Sequence, residues 1–150
     1  MSWKGVMKPD GIAGLLLLAL GVLTLGMGLY FLFVRPAMLP EDVFFTGMEP
    51  SLLKPKMLEW LGIVFRTWGG FLVSFGILVL SMGAYMLTAA PASLRIGVAL
   101  ALPVAFGQFL ASNIRLHSDY LLFIGVLCGI AFLTAGCILL GVRRRPSRPL

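Results

Sequence analysis

The chain has 150 residues and a mass of 16.2 kDa, of which 59% are hydrophobic and only 12% charged, with a mean hydropathy of +1.00. Soluble domains carry about a quarter charged residues, so this composition excludes a soluble enzyme, a disordered tail and a nucleic-acid-binding protein. The net charge of +6 comes from short basic flanks between apolar runs, which are typical of topology signals and of contacts with anionic lipids.

The first apolar run extends from Gly11 to Val34 and gives roughly 36 Å of helix, enough to cross a hydrocarbon core of ~30 Å. It is longer than the apolar core of a signal peptide, and Asp10 before it is a candidate N-cap. Three further apolar runs follow. The sequence predicts an all-α integral membrane bundle in a single domain over residues 1–150, with spans at about 11–34, 60–88, 95–114 and 119–142 and an extramembrane loop at about 35–59.

The first loop contains four prolines, so it cannot form one continuous helix. Apolar residues between the prolines predict that the loop folds onto the membrane surface. Its acidic residues Glu41 and Asp42 are expected to neutralise Arg66 and Arg115. These charges would then dock the loop over the mouth of the bundle.

The second run has Trp60 and Trp68 as expected interfacial aromatic residues. The third run is the shortest, with Arg95 and Arg115 expected at opposite interfaces. Pro103 lies in its middle and predicts a kink. A re-entrant segment therefore stays open as the alternative to a full third span.

Glycines recur at seven-residue intervals in the first two spans. A seven-residue period keeps one face of a helix pair in register, and in lipid small residues allow the close backbone approach that drives packing. The pattern predicts that these spans pack antiparallel along a glycine seam. The predicted seam consists of Gly14, Gly21, Gly28, Gly62, Gly69, Gly76 and Gly83.

The two glycine-rich spans also align with each other. Residues 21–36 read GVLTLGMGLYFLFVRP and residues 76–91 read GILVLSMGAYMLTAAP. Because the two spans run in opposite directions, a duplication would be inverted, as in transporters built from inverted repeats. Chance similarity between two helices rich in leucine and glycine is the alternative.

The stretch RPAMLPED at residues 35–42 is followed by a Phe-Arg-x-x-Gly-Gly entry to the second span, formed by Phe65, Arg66, Gly69 and Gly70. In these features the chain resembles small uncharacterised four-span bacterial membrane proteins. The resemblance covers about a third of the chain. It implies a four-helix fold and supplies no activity to carry over.

Four spans place both termini on one side of the membrane, and that side carries more basic residues than the other. The positive-inside rule therefore predicts cytoplasmic termini, in a bacterial inner membrane. The cluster Arg143, Arg144 and Arg145 ends the fourth span abruptly. It is expected to contact lipid headgroups or a partner.

Chemistry-bearing residues are sparse. No Asp, Glu or Lys lies within an apolar run, which disfavours an ion pathway. His117 with Asp119 is the best candidate for a catalytic base and its orienting residue, but no nucleophile motif accompanies it. One histidine and two cysteines, Cys128 and Cys137, form no ligand cluster. The sequence predicts no catalytic residue, metal or cofactor.

The function expected from this pattern is that of a non-catalytic accessory, assembly or stabilising subunit of a larger membrane complex. Its expected partners are membrane lipids and other membrane-protein subunits, with no nucleic acid. A small carrier or binder of an apolar or lipid-like ligand is the alternative, and an enzyme is the third candidate. Small residues outside the seam offer a docking surface, namely Ala99, Ala101, Ala131, Ala135 and Gly136.

Overall fold

Apolar runs and prolines together determine the helices of the computed structural model, which describes residues 9–88 and 90–143. Over these residues the chain is helical and has no strand. All of the α-helices except the short second one are long and apolar enough to cross a membrane. The predicted bundle of four transmembrane helices is confirmed. The helices are α1 (Pro9–Phe33), α2 (Pro40–Thr46), α3 (Pro55–Met86), α4 (Ala92–Arg115) and α5 (Leu121–Arg143), with a single 3-10 turn at Pro50–Leu52.

Prolines that exclude a continuous helix in the first loop instead begin its helical pieces. Pro40 and Pro55 occupy the first turns of α2 and α3, where a missing N–H costs nothing and a fixed φ favours the helix. α3 therefore begins before residue 60, the predicted start of the second span, and its 32 residues give about 48 Å of helix. α4 is one helix of 24 residues that continues through Pro103.

The bundle is arranged around α1. This helix contacts α3 on one side and α5 on the other, and α4 packs against α5. α3 and α4 follow each other in the chain but approach less closely, with the rings of Phe75 and Phe106 at a centroid distance of 6.3 Å. The core lies mainly between α1, α4 and α5, where Leu17, Leu127 and Ala131 are fully buried, and Val79 and Met86 of α3 also belong to it.

The glycine seam joins α1 to α3. A Cβ atom on Gly83 would lie 3.0 Å from the carbonyl oxygen of Gly14, and equivalent atoms on Gly76 and Gly69 would lie 3.2 and 3.0 Å from the carbonyls of two further α1 glycines. Three glycine pairs therefore bring the two backbones into direct contact, which side chains at these positions would prevent. The pairs are Gly14–Gly83, Gly21–Gly76 and Gly28–Gly69.

Gly62 does not belong to this seam, and its predicted place there is wrong. A Cβ atom at Gly62 would meet nothing within 4 Å. The reason is the length of α1. The facing positions in the three pairs sum to 97, so the position facing Gly62 would be residue 35, and α1 ends at Phe33.

The seam contacts are symmetric in the way that the aligned repeat requires. The segments 21–36 and 76–91 are offset by 55 residues (76 − 21 = 55). A Cβ at Gly14 would touch Leu87, and the residues related to these by the offset, Gly69 and Leu32, make the same contact. The α1–α3 pair thus has an approximate two-fold axis at its middle glycine pair, so the sequence repeat has a structural counterpart.

Two adjacent glycines on α3 test the seam. A Cβ atom at Gly69 would lie 2.8 Å from the backbone nitrogen of Leu32, whereas one at Gly70 would meet nothing within 4 Å. We expect Gly69→Ala to lower the free energy of unfolding by about 1–3 kcal/mol, since backbone atoms must move apart. Gly70→Ala should be neutral or stabilising, because alanine favours a helix by up to about 1 kcal/mol.

Unfolding of both variants in mixed micelles, titrated with sodium dodecyl sulfate and followed by circular dichroism, measures the difference. Equal unfolding midpoints for the two variants would contradict close backbone packing at Gly69.

Candidate functional site

Polar side chains gather at the two ends of the bundle. We call the end where α1 stops and α5 starts the loop end, and the opposite one, where α1 and α4 start and α5 stops, the terminal end. Each end has one ion pair among the described residues. The loop end also carries α2, which lies across it.

Arg35 holds α2 at the loop end. It follows α1 directly, and its Nη2 donates to Asp42 Oδ2 over 2.7 Å. The guanidinium carbon lies 3.3 Å from the centroid of the Phe65 ring, a cation–π contact with α3. Asp42 also accepts from the backbone N–H of Leu39, just before α2. This one arginine therefore ties together the end of α1, the start of α2 and the first part of α3.

Glu41 connects α2 to the segment between α4 and α5. Glu41 is only 7% exposed, and its Oε1 accepts a hydrogen bond of 3.2 Å from Ser118 Oγ. Ser118 Oγ in turn accepts from the backbone N–H of Tyr120. Glu41 Oε2 is buried without a hydrogen-bond partner among the described residues. The ring of Phe44 adds an edge contact with His117 at 6.3 Å.

The predicted partners of Glu41 and Asp42 are wrong, although the loop does dock over the end of the bundle through these two residues. Arg66 and Arg115 are exposed, and neither forms an ion pair within the described part of the chain. The reason is helical direction. Phe65 faces Arg35 and Phe31, so Arg66, one residue later, points about 100° away.

Replacement of Arg35 should release α2. We expect Arg35→Gln to speed chymotrypsin cleavage after Phe44 and Phe45 several-fold in detergent micelles, because Asp42 loses its charged partner and Phe65 its cation. Arg66→Gln should leave the cleavage rate unchanged and serves as the matched control. Cleavage that accelerates with Arg66→Gln and not with Arg35→Gln would show that the loop is held by other contacts.

A second ion pair lies at the terminal end and joins three helices. Arg95 of α4 is only 2% exposed, and its Nη1 donates to Oδ1 of Asp10 in the first turn of α1. Its Nε donates to the carbonyl of Ala90 over 2.8 Å. Gly141 of α5 lies against the Asp10 carboxylate, where a Cβ atom would collide with it. Glycine at this position therefore makes room for the pair.

Sequence reasoning assigned Asp10 to a helix cap and Arg95 to the membrane interface, and did not join them. The available signal was that both residues start predicted spans on the same side of the membrane. That signal does not decide which helices are neighbours. The pair forms because α5 lies beside both α1 and α4 and presents a glycine to it.

Removal of one member of the Asp10–Arg95 pair should lower the free energy of unfolding. Removing one member of a buried ion pair typically costs about 3–5 kcal/mol, so we expect Arg95→Met to lower the unfolding free energy strongly. Arg115→Met, on the same helix but exposed, should change it by less than about 0.5 kcal/mol. A double-mutant cycle with Asp10→Asn measures the coupling. Additive effects of Arg95→Met and Asp10→Asn would contradict a direct pair.

Polar groups within the spans bond to backbone carbonyls, either of their own helix or of a neighbouring one. The hydroxyls of Thr24 and Thr134 donate to carbonyls four residues earlier in their own helices, over 2.7 and 2.6 Å. The Cys128 thiol donates to the Phe106 carbonyl over 3.0 Å. No group of three His, Cys, Asp or Glu side chains that suits a metal ion occurs among the described residues. These hydroxyl and thiol groups therefore donate to helix carbonyls.

His117 and Asp119, the candidate base and orienting residue, are both exposed. His117 has a left-handed backbone conformation, with φ of 52°, in the tight connection between α4 and α5. Its ring contact is with Phe44. The described structure shows no hydrogen bond between the His117 and Asp119 side chains, so it does not bring them together as a catalytic pair.

The basic cluster at the end of α5 lies at the edge of the described chain. Arg143 is the last residue of α5, and Arg144 and Arg145 lie outside the described residues. The expected contact of these arginines with lipid headgroups or a partner stays a prediction.

Small residues outside the seam divide into two sets. Ala99, Ala131 and Ala135 are buried in the core, so their predicted role in a docking surface is wrong. Ala101 and Gly136 are exposed. Gly136 shares one side of α5 with two further exposed glycines, and a Cβ atom on any of the three would meet nothing within 4 Å. We call this set the α5 glycine face: Gly125, Gly129 and Gly136.

No protein-family model matches the chain, and neither a curated protein nor a solved structure matches it. The resemblance to small four-span bacterial membrane proteins therefore stays a prediction.

Proposed function

We propose that the protein is a non-catalytic accessory, assembly or stabilising subunit of a larger membrane complex, and that the α5 glycine face packs against a transmembrane helix of a partner subunit. The α5 glycine face is the observation that carries the proposal. Its three glycines fall within about 40° of one another around the helix, at 100° per residue, and all are exposed.

Glycine has a cost in a helix that faces only lipid. It is about 1 kcal/mol less favourable than alanine in a helix interior, and lipid chains gain nothing from its lack of a side chain. Its advantage is close approach of another backbone. The same chain uses glycine in this way between α1 and α3, where three pairs remove the space for a Cβ atom. Within the described chain, no helix packs against the α5 glycine face.

The two depressions that stand out on the described residues give no specific support to the alternative of a carrier. The two best-formed depressions are open grooves on the outer surface, of about 310 and 490 Å³, and neither is an enclosed cavity between helices. The larger groove is lined by Leu121, Leu122, Gly125 and Val126, so it adjoins the α5 glycine face. A groove of this kind fits the side chains of a neighbouring helix.

The proposal includes a location in the bacterial inner membrane with both termini in the cytoplasm. The support is the number of basic residues at the terminal end and in the flanking sequence. The four apolar helices make the protein an integral membrane protein.

A glycine-to-leucine substitution tests the docking face. We expect tagged wild-type protein, extracted from native membranes in mild detergent, to retain a stoichiometric membrane-protein partner. Gly129→Leu should lower the recovered partner about tenfold, equivalent to about 1.4 kcal/mol, because leucine holds the helices apart. The matched control is Gly26→Leu on α1, where a Cβ atom also meets open space.

Both variants should unfold at or above the wild-type midpoint, because leucine favours a helix more than glycine does, and this separates a docking effect from a folding effect. Recovery of the protein alone, as a monomer or a homodimer, would contradict the accessory role. Equal loss of partner in both variants would contradict docking through α5.

A further inference from the structure

In the segment from Pro40 to Leu52, the charged side faces the bundle and the apolar side faces outwards, the opposite of a surface helix in water. Glu41 is buried and Asp42 is held by Arg35, so both charges of α2 face the bundle. Phe44 and Phe45 on the same helix are 76% and 60% exposed. A surface helix in contact with water presents its charges outwards and its aromatic residues inwards.

The exposed apolar side continues beyond α2. Met48 is half exposed, and Leu52, in the 3-10 turn, is 79% exposed. We call Phe44, Phe45, Met48 and Leu52 the outer side of the segment. An exposed apolar surface of this kind is unfavourable in contact with water.

The depth of the segment identifies what covers its outer side. Its two anchoring contacts are made to Arg35 and Ser118. Arg35 lies just after the end of α1 at Phe33, and Ser118 lies just before the start of α5 at Leu121. Phe44 lies beside His117 in the same connection. The segment is therefore fixed at the level where two apolar spans end. That level is the boundary between hydrocarbon and headgroups.

The residues that follow suit the same boundary. Lys54 and Lys56 are exposed and can reach headgroup phosphates. Trp60 is exposed on the first turns of α3, and tryptophan is enriched at membrane interfaces.

We infer that residues 40–52 form an interfacial membrane anchor, and that its outer side inserts into the lipid surface of the bilayer that the bundle spans. The contacts of Arg35 and Ser118 keep the charged side of the anchor out of the lipid, while the aromatic side enters the headgroup and acyl boundary. This anchor is independent of the α5 glycine face and of any partner subunit.

Spin labels measure the environment of the outer side directly. In a background of Cys128→Ala and Cys137→Ala, single labels are attached to Phe44→Cys and, as a second position, Leu52→Cys. Glu49→Cys, an exposed polar position in the same segment, is the water reference. Leu133→Cys, exposed on α5, is the lipid reference. The purified full chain is reconstituted in phosphatidylcholine vesicles.

We expect the labels at residues 44 and 52 to resemble the lipid reference. Their accessibility to oxygen relative to a water-soluble nickel complex should exceed that at residue 49 several-fold. The label at residue 44 should shift towards the water reference when Asp42→Asn removes the ion pair with Arg35.

Two results would overturn the inference. Nickel accessibility at residues 44 and 52 equal to that at residue 49 would place the outer side in water. Protection from both oxygen and nickel would mean that protein, such as a second copy of the chain, covers it. Circular dichroism of each labelled variant confirms that the helices are intact, and agreement between the two positions excludes an effect of one substitution.

Discussion

Direct backbone contact between α1 and α3 is the constraint on which the remaining structure depends. In a bilayer the hydrophobic effect does not draw helices together, so shape and close approach must do so. The three glycine pairs fix the antiparallel register of α1 and α3. The same register brings Phe31 beside Phe65, with ring centroids 6.3 Å apart, and places Arg35 over Phe65. The attachment of α2 is thus a consequence of the seam.

The remaining helices are joined by a different kind of contact. α5 packs on α1 and α4 through apolar side chains, and the buried pair of Asp10 and Arg95 closes the terminal end. Breaking a buried pair is more costly than forming it is favourable. The pair therefore matters mainly through the cost of leaving one of its buried partners uncompensated. Gly141 contributes to the pair by leaving space for the Asp10 carboxylate, which a Cβ atom at this position would contact.

Hydropathy and spacing predicted the parts of the fold that depend on one helix or on a helix pair with a regular repeat. The four spans and six of the seam glycines follow from such patterns. Gly62 did not fit because the seam ends where α1 ends, which no periodicity in α3 reports. The predicted pairing of Asp42 with Arg66 was wrong because it depends on the rotation of α3 about its own axis. That rotation turns Phe65 inwards and Arg66 outwards. The Asp10–Arg95 pair was not predicted because it depends on which helices are neighbours, and no pattern within a single helix reports that.

The burial of Arg95 has a consequence for biogenesis. Its partner Asp10 precedes it by 85 residues, so the two meet only after the nascent chain has delivered three helices and begun a fourth. Before they meet, the guanidinium of Arg95 lacks its carboxylate partner from α1. Once the fourth and fifth helices close against the first, it is inaccessible. The assembled bundle therefore no longer exposes this guanidinium at its surface.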